Sequence, residues 1–358
     1  MHERIIELTT ALVAIPTHER EGEAQQLLAS WLQPLGFACT IDEIAPGRPN
    51  LVAQRGEGGL FLCSHIDTHP PHGHPDPLSC RRQGDLLVGR GVLDAKGQIA
   101  AAVAAVEAEP DGAALLAITC DEERTGLGSA QLSLPEGPWS TDGGVVLEPT
   151  DFAICTAQAG HIDVHVEVSG SAGHAYAPEE GGSPIHAVLA AVDELETCNF
   201  LKASHPLLGR PRRNIGRIRG GEHPWRKPGR ASVDLTLGVV PGTDLAGAEA
   251  DVRARLDDSA RRWGARGTSF LYEIVDRSEP IELSADSVPV AAKLADAMGI
   301  ALEPGGMPSW TDAGNLLMKH AQPCVVFGAG SLSSAHSDHE WVRLDDLVKL
   351  SGVLRRLL

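Results

Sequence analysis

The chain has 358 residues, enough for two domains and a sizeable buried core. Hydrophobic residues make up 42% and charged ones 22%, an ordinary globular balance. The 30 basic and 48 acidic side chains leave a formal charge of −18, which argues against nucleic acid and against an anionic membrane as partners.

Residues 1–15 mix charged with apolar side chains and have neither a basic n-region nor an apolar h-region, so no secretory signal is expected. No apolar run approaches the ~20 residues of a membrane span. The seven cysteines are scattered, odd in number and free of any C-x-x-C pair. They read as small core residues of a cytoplasmic protein rather than as a disulfide framework.

In chain order, Ile5, Leu8, Leu12 and Ile15 recur at helical spacing, and Pro16 stops that helix. The apolar run 60–63 predicts a buried strand that ends directly at Ser64-His65-Ile66-Asp67. An alanine-rich helix follows Lys96. A second buried strand over 113–120 ends at Asp121-Glu122-Glu123, and a third over 144–147 ends at Glu148. Three strands thus deliver imidazole or carboxylate groups to their C-terminal ends, where α/β sheets place ligands.

The pattern changes near residue 158. Ile162, Val164, Val166 and Val168 alternate with polar residues, as in a strand with one wet face. Ser183-Pro184 opens a helix with the apolar stripe Ile185, Val188, Leu189, Val192 and Leu195. Strands follow over 214–219 and 233–239, then a helix over 245–263 and a strand over 269–275. That order is β-α-β-β-α-β, the split-βαβ (ferredoxin-like) sandwich. Afterwards a helix over 288–298, a buried strand over 324–328 and a closing helix over 344–357 return to α/β. The expected fold class is therefore α/β: a mixed-sheet catalytic domain from residues 1–157 and 276–358, with the sandwich inserted over 158–275.

The residues that carry chemistry are His65, Asp67, Asp94, Glu122, Glu123, Glu148 and His336. Zinc takes imidazole nitrogen and carboxylate oxygen, and two ions about 3.5–4 Å apart can share a carboxylate. Taken singly, each has a plainer reading: a lone histidine is usually structural, and Glu122-Glu123 alone would be a solvated acidic turn. His69, His72 and His74 sit in a proline-rich loop and read as surface histidines. The basic stretch 210–230 reads first as a solvated loop and second as contacts to a substrate carboxylate.

Five segments taken together are more specific: S-H-I-D-T, G-R-G-V-L-D-A-K-G, D-E-E-R-T-G, L-E-P-T and A-H-S-D-H-E-W. In order and spacing the chain resembles the di-zinc aminoacylase/carboxypeptidase family, whose members include acetylornithine deacetylase and succinyl-diaminopimelate desuccinylase. The resemblance implies that Asp94 bridges two ions, with His65 and Glu148 on one and Glu123 and His336 on the other. It implies that Asp67 orients His65, and that Glu122 is the general base for the water between the ions. Gly170-Ser171-Ala172-Gly173-His174-Ala175 resembles the family's lid segment, whose histidine helps hold the oxyanion, often from a partner subunit. Asn214-Ile215-Gly216-Arg217-Ile218 resembles the lid's glycine-flanked strand, and Ser309-Trp310-Thr311-Asp312-Ala313 a segment near the substrate. Asn214, Thr311 and Asp312 are accordingly expected at the substrate, and Arg217 or Arg226 of the basic stretch is expected to hold its carboxylate.

Two positions depart from the family pattern. Gly238 stands where relatives usually carry an arginine three residues before a proline, and Trp225 stands where many carry an asparagine. The hydrolytic machinery is thus expected intact and substrate recognition altered. The expectation is a zinc-dependent amidohydrolase of N-acyl amino acids, acetylornithine or acetylcitrulline deacetylase-like, using two zinc ions, with cobalt and manganese also suited to such ligands. A role in amino-acid metabolism, such as arginine biosynthesis, and a homodimeric state go with it. A dipeptidase or carboxypeptidase would use the same metals, and a non-catalytic binding relative would be expected to lose Glu122 or a ligand.

Overall fold

The computed structural model describes residues 1–134, 139–177 and 181–358. The chain divides into two compact units: Met1–Thr156 with Leu283–Met307 and Thr311–Leu358, and Ala157–Glu282 with Pro308–Trp310. The second join thus falls at 282, where the sequence reading put it at 275, because the last long strand of the insertion, Ser269–Ser278, is followed by the short strand Ile281–Glu282.

The first unit is built on a mixed sheet. Leu60–His65, Ala114–Thr119, Gly144–Val146 and Cys324–Val326 run parallel, in the order 114–119, 60–65, 144–146, 324–326. All four strands are buried along their whole length, which is why they read as unbroken apolar runs. The hairpin Ala38–Ala45 and Arg48–Arg55 adds an antiparallel margin on one side, and Ile154–Gln158 adds one on the other. Lys96–Ala108 packs between His2–Val13 and Leu344–Arg355. Its residues 96–106 are all buried, and its run of alanines leaves no polar face for water.

The second unit has the element order the sequence suggests: Gly160–Ser169, Pro184–Leu195, Arg213–Gly220, Arg230–Val239, Leu245–Gly264 and Ser269–Ser278. The long strands form one antiparallel sheet in the order 213–220, 230–239, 160–169, 269–278. Ile162, Val164, Val166 and Val168 point into a core shared with Val188, Leu195 and Val252, and the intervening residues stay half-exposed. The four-stranded order with two helices on one face is the ferredoxin-like arrangement.

All seven cysteines are free thiols. No helix among the described residues is long and apolar enough to cross a membrane.

Gly97, at the start of the helix after Asp94, has no room for a side chain, since a Cβ there would lie 2.0 Å from the Val92 carbonyl oxygen. Gly97→Ala is expected to push the helix away from the Asp94 loop, at a cost of about 1–3 kcal/mol from overpacking. Urea unfolding of the variant against the parent measures the loss.

Candidate metal centre

His65 is the last residue of its strand and is 1% exposed. Its Nδ1 lies 3.1 Å from the Asp67 carbonyl oxygen and 3.5 Å from Asp67 Oδ1. Oxygens of these kinds accept here, so Nδ1 carries the proton and Nε2 is left as the ligand atom. Asp67 has a further task. Its Oδ1 accepts the Glu122 N–H and its Oδ2 the Glu123 N–H, each at 3.1 Å, so one carboxylate fixes both the imidazole and the acidic turn.

Asp94 sits in a loop held by Glu340, a fully buried carboxylate. Glu340 Oε1 accepts the N–H groups of Leu93 and Asp94 at 3.0 and 3.2 Å, and Oε2 accepts Arg90 Nη1 at 2.9 Å. Asp94 then stands between the two histidines. Its Oδ1 is 3.0 Å from His65 Nε2, and its Oδ2 is 3.4 Å from His336 Nε2. Glu148 Oε1 approaches the His65 nitrogen at 3.6 Å, and Glu123 Oε2 approaches the His336 nitrogen at 2.8 Å. The five expected ligands therefore fall into two pairs joined by the two oxygens of Asp94. Among the described residues, ligand atoms of His65, Asp94 and Glu123 lie within 4.8 Å of one another.

The charge state of the cluster follows from burial and mutual repulsion. Burial pushes the Glu122 carboxyl well above its ordinary value, with Glu148, Asp312 and Glu123 adding to the rise against the pull of His65. Glu148 is raised in the same way by burial, Asp94 and Asp312, and Glu123 by burial and Asp94. Asp94 is the exception: burial would raise it, but its contacts to His336 and His65 hold it below the usual carboxylate range. Burial would also lower both imidazoles. Glu148, Asp67 and Asp94 reverse this for His65 and raise it well above its usual value, and Asp94 and Glu123 raise His336 to about 10.

This donor set fits a divalent cation. Glu148 Oε1 is buried with no hydrogen-bond partner, and such an orphan is costly unless a cation satisfies it. Nitrogen and carboxylate oxygen are also the ligand types that zinc and similar ions take.

The other expected site residues are placed as follows. Thr311 and Asp312 are buried in the first unit at 1% exposure, and Asp312 Oδ2 accepts the Thr119 hydroxyl at 2.6 Å. His174, Asn214, Arg217 and Arg226 are all exposed in the second unit. His174 and Arg226 face each other across a short two-stranded ladder and line one cleft of about 340 Å³. Arg217 donates to Asp234, and Arg226 pairs with Glu222 at 3.0 Å. At Gly238, a Cβ would lie 2.8 Å from the Arg212 carbonyl oxygen, so the departure from arginine is built into the backbone of this strand.

Sequence reasoning misplaced part of the histidine-rich loop. His72 is exposed, but His74 is 9% exposed, and His69 is half-buried and stacked on His336. Their burial comes from the loop around His336, which no local spacing reveals. Two further residues were missed. Glu340 stood in the same motif as His336. Arg48, which is 12% exposed, donates to both Glu21 and Asp121 and lies 3.9 Å from Asp67 Oδ2. No motif marks Arg48.

Strand-end His65 and Glu148 with Asp94, Glu123 and His336 from loops form a candidate cation site, and the chain's kinship makes it a metal-dependent hydrolase acting on amide bonds. Residues 61–358 match peptidase family M20/M25/M40, and the chain belongs to that family. It is 28% identical to an acetylornithine deacetylase of Aliivibrio salmonicida, over 98% of this chain and 95% of that one. Among solved structures it is similar to human carnosine dipeptidase 1 (TM-score 0.81, 16% identity, 99% of this chain and 95% of the other). It is also similar to a dinuclear metal-binding peptidase of Bacillus subtilis (TM-score 0.66, 13% identity, 99% and 97%).

A ligating imidazole must be neutral, whereas the metal-free protein keeps His336 protonated up to about pH 10 and His65 protonated well above its usual range. Loading at pH 7 should therefore expel protons from both imidazoles and from the raised Glu123 and Glu148 carboxyls, and apparent affinity should rise with pH. Calorimetric titration in buffers of differing ionisation enthalpy counts those protons. Metal uptake without proton release would show that the imidazoles are neutral beforehand.

Proposed function

We propose that the protein hydrolyses the amide bond of an N-acyl amino acid, in the manner of an acetylornithine or acetylcitrulline deacetylase, with two zinc ions in the centre. Cobalt and manganese also suit these ligands. The observation that carries this reading is the position of Asp94, one oxygen toward His65 and Glu148 and the other toward His336 and Glu123. Each half supplies one imidazole and one carboxylate, with Asp94 common to both. The deacetylase of Aliivibrio salmonicida supports the substrate class, and the dinuclear peptidase of Bacillus subtilis supports the ion count.

Ions bound there would acidify a water and polarise the acyl oxygen. Glu122 is the base. Its backbone is fixed by Asp67, and its carboxylate has no hydrogen-bond partner among the described residues, so it is free to accept a proton from the attacking water. The same group then returns that proton to the leaving amine nitrogen. Asp67 keeps His65 in the tautomer that presents Nε2.

His174 is proposed to hold the developing oxyanion, reaching it from the partner subunit of a homodimer, with Asn214, Thr311 and Asp312 bordering the substrate. A free α-carboxylate would be held by arginine. Arg226 is the better placed of the two candidates, because its partner Glu222 is an exposed neighbour one helical turn's spacing away, a pair worth little in water. Arg217 is engaged by Asp234, which also holds His165 at 2.5 Å. A dipeptidase or carboxypeptidase would use the same centre and differ only in the pocket.

Two outcomes are expected. Glu122→Gln keeps size but cannot take a proton, and should lose about 10²–10⁴ in kcat with unchanged metal content. Near-normal turnover would show that another group activates the water. A panel of N-acetyl amino acids, their C-terminal amides and dipeptides should show highest kcat/KM for the free N-acetyl amino acids. Faster dipeptide cleavage would turn the reading to a dipeptidase, and equal rates for acid and amide would exclude a carboxylate clamp.

A further inference from the structure

His336 is the exposed member of the centre. Its side chain is 47% exposed, against 1% for His65 and 7% for Asp94. Its backbone also lies at φ 57°, in the left-handed region that non-glycine residues seldom adopt. Burial therefore does not fix this ring, and a contact must.

Glu123 and Asp94 meet the ring at Nε2, and the contact to its face is His69. The two imidazole rings stack with centroids 4.5 Å apart and planes 21° apart. The backbone N–H of His69 donates to Glu123 Oε1 at 2.9 Å, while the other oxygen of Glu123 faces His336 Nε2 at 2.8 Å. One residue thus touches both ligands of the exposed half and neither His65 nor Glu148 among the hydrogen bonds and ring contacts described. His69 is itself anchored. Its Nδ1 lies 3.2 Å from the Pro70 carbonyl oxygen, which can only accept, and the His72 ring packs beside it with centroids 5.2 Å apart. The loop fits closely onto the segment that carries His336: a Cβ on Gly73 would lie 2.7 Å from Asp338 Oδ1.

We propose that His69 is a positioning residue for the exposed half of the centre: its ring braces His336 and its backbone N–H aims Glu123. The ion held by that pair is bound more tightly for it, and the ion held by His65 and Glu148 is indifferent to it. This inference rests on the two-ion reading of the site.

The test titrates metal-free protein with cobalt(II), followed by absorption and calorimetry. The parent should show two binding events. His69→Ala should weaken one of them by about 10–100-fold, as loss of an orienting partner does elsewhere, and leave the other within about threefold. His69→Phe keeps a flat partner and the backbone donor, and should hold both events within about threefold of the parent. Unchanged affinities in His69→Ala, equal weakening of both events, or a His69→Phe variant as weak as His69→Ala would each overturn the proposal. A parent that takes up one ion only sinks the two-ion reading instead, and His69 is then judged by whether that ion is held less tightly in His69→Ala.

Discussion

The structure depends on a concentration of buried negative charge that demands a cation. Asp67, Asp94, Glu123 and Glu148 crowd two imidazoles, His65 at a strand end and His336 in a loop, with Glu122 and Asp312 close enough to repel them. Each ionised carboxylate taken from water costs several kcal/mol unless it is compensated. Arg48 and two backbone N–H groups serve Asp67, and without metal the other carboxylates draw on protons. The imidazoles therefore hold theirs far beyond their usual range, and burial and mutual repulsion push Glu122, Glu123 and Glu148 toward their neutral forms. Asp94 is held below its usual range instead, because it lies between both imidazoles. A divalent ion reverses this logic, taking the place of the protons and letting the carboxylates charge.

Such a cluster would spread apart on a pliant scaffold, and the chain prevents this by tying distant segments together behind it. Arg48, from the antiparallel hairpin, bridges Glu21 and Asp121 and approaches Asp67, so four segments of the first 121 residues share one guanidinium. Glu340 does the same from the other end, joining the segment of His336 to the backbone of Asp94 and to Arg90. Lys96, buried just past Asp94, donates to the Ile15 carbonyl oxygen at 2.7 Å and so fixes the end of the first helix to the same loop. The ties through Arg48 and Glu340 set a charged group among its partners, while burial lowers the Lys96 amine to about 7. Removing one partner would leave the remainder buried and unpaired, which costs more than the contact itself contributes.

What was legible in the sequence follows from this. Strands buried on both faces are continuous apolar runs, so Leu60–His65, Ala114–Thr119 and Gly144–Val146 could be read together with the groups at their ends. The hairpin could not. Ala38–Ala45 is a margin strand with mostly exposed or half-exposed residues, and Arg48–Arg55 carries Pro49 and a buried Asn50 that breaks its apolar run. The three-stranded sheet of Arg81–Gln83, Leu86–Val88 and Trp341–Arg343 has strands too short for any periodicity. His69 was misread for a related reason: the ring it stacks on belongs to His336, more than two hundred positions away. Local pattern reports what a segment buries against the sheet, and says little about what a loop buries against another loop.

The same distinction explains why chemistry is easier to read here than substrate. The metal centre is dictated by packing and charge, so its residues leave few alternatives. Recognition is assigned to exposed side chains, Asn214, Arg217 and Arg226, whose positions no core constrains. The backbone does narrow the choice at one point. The family resemblance implies an arginine where this chain has Gly238, but the Arg212 carbonyl oxygen and amide nitrogen would lie 2.8 and 3.1 Å from any Cβ there. Gly238 N–H also donates to that carbonyl at 2.7 Å, so the close approach is held by a hydrogen bond and cannot relax without losing it. An arginine at this position would therefore require the strand to move, and a carboxylate clamp in this chain has to come from another position.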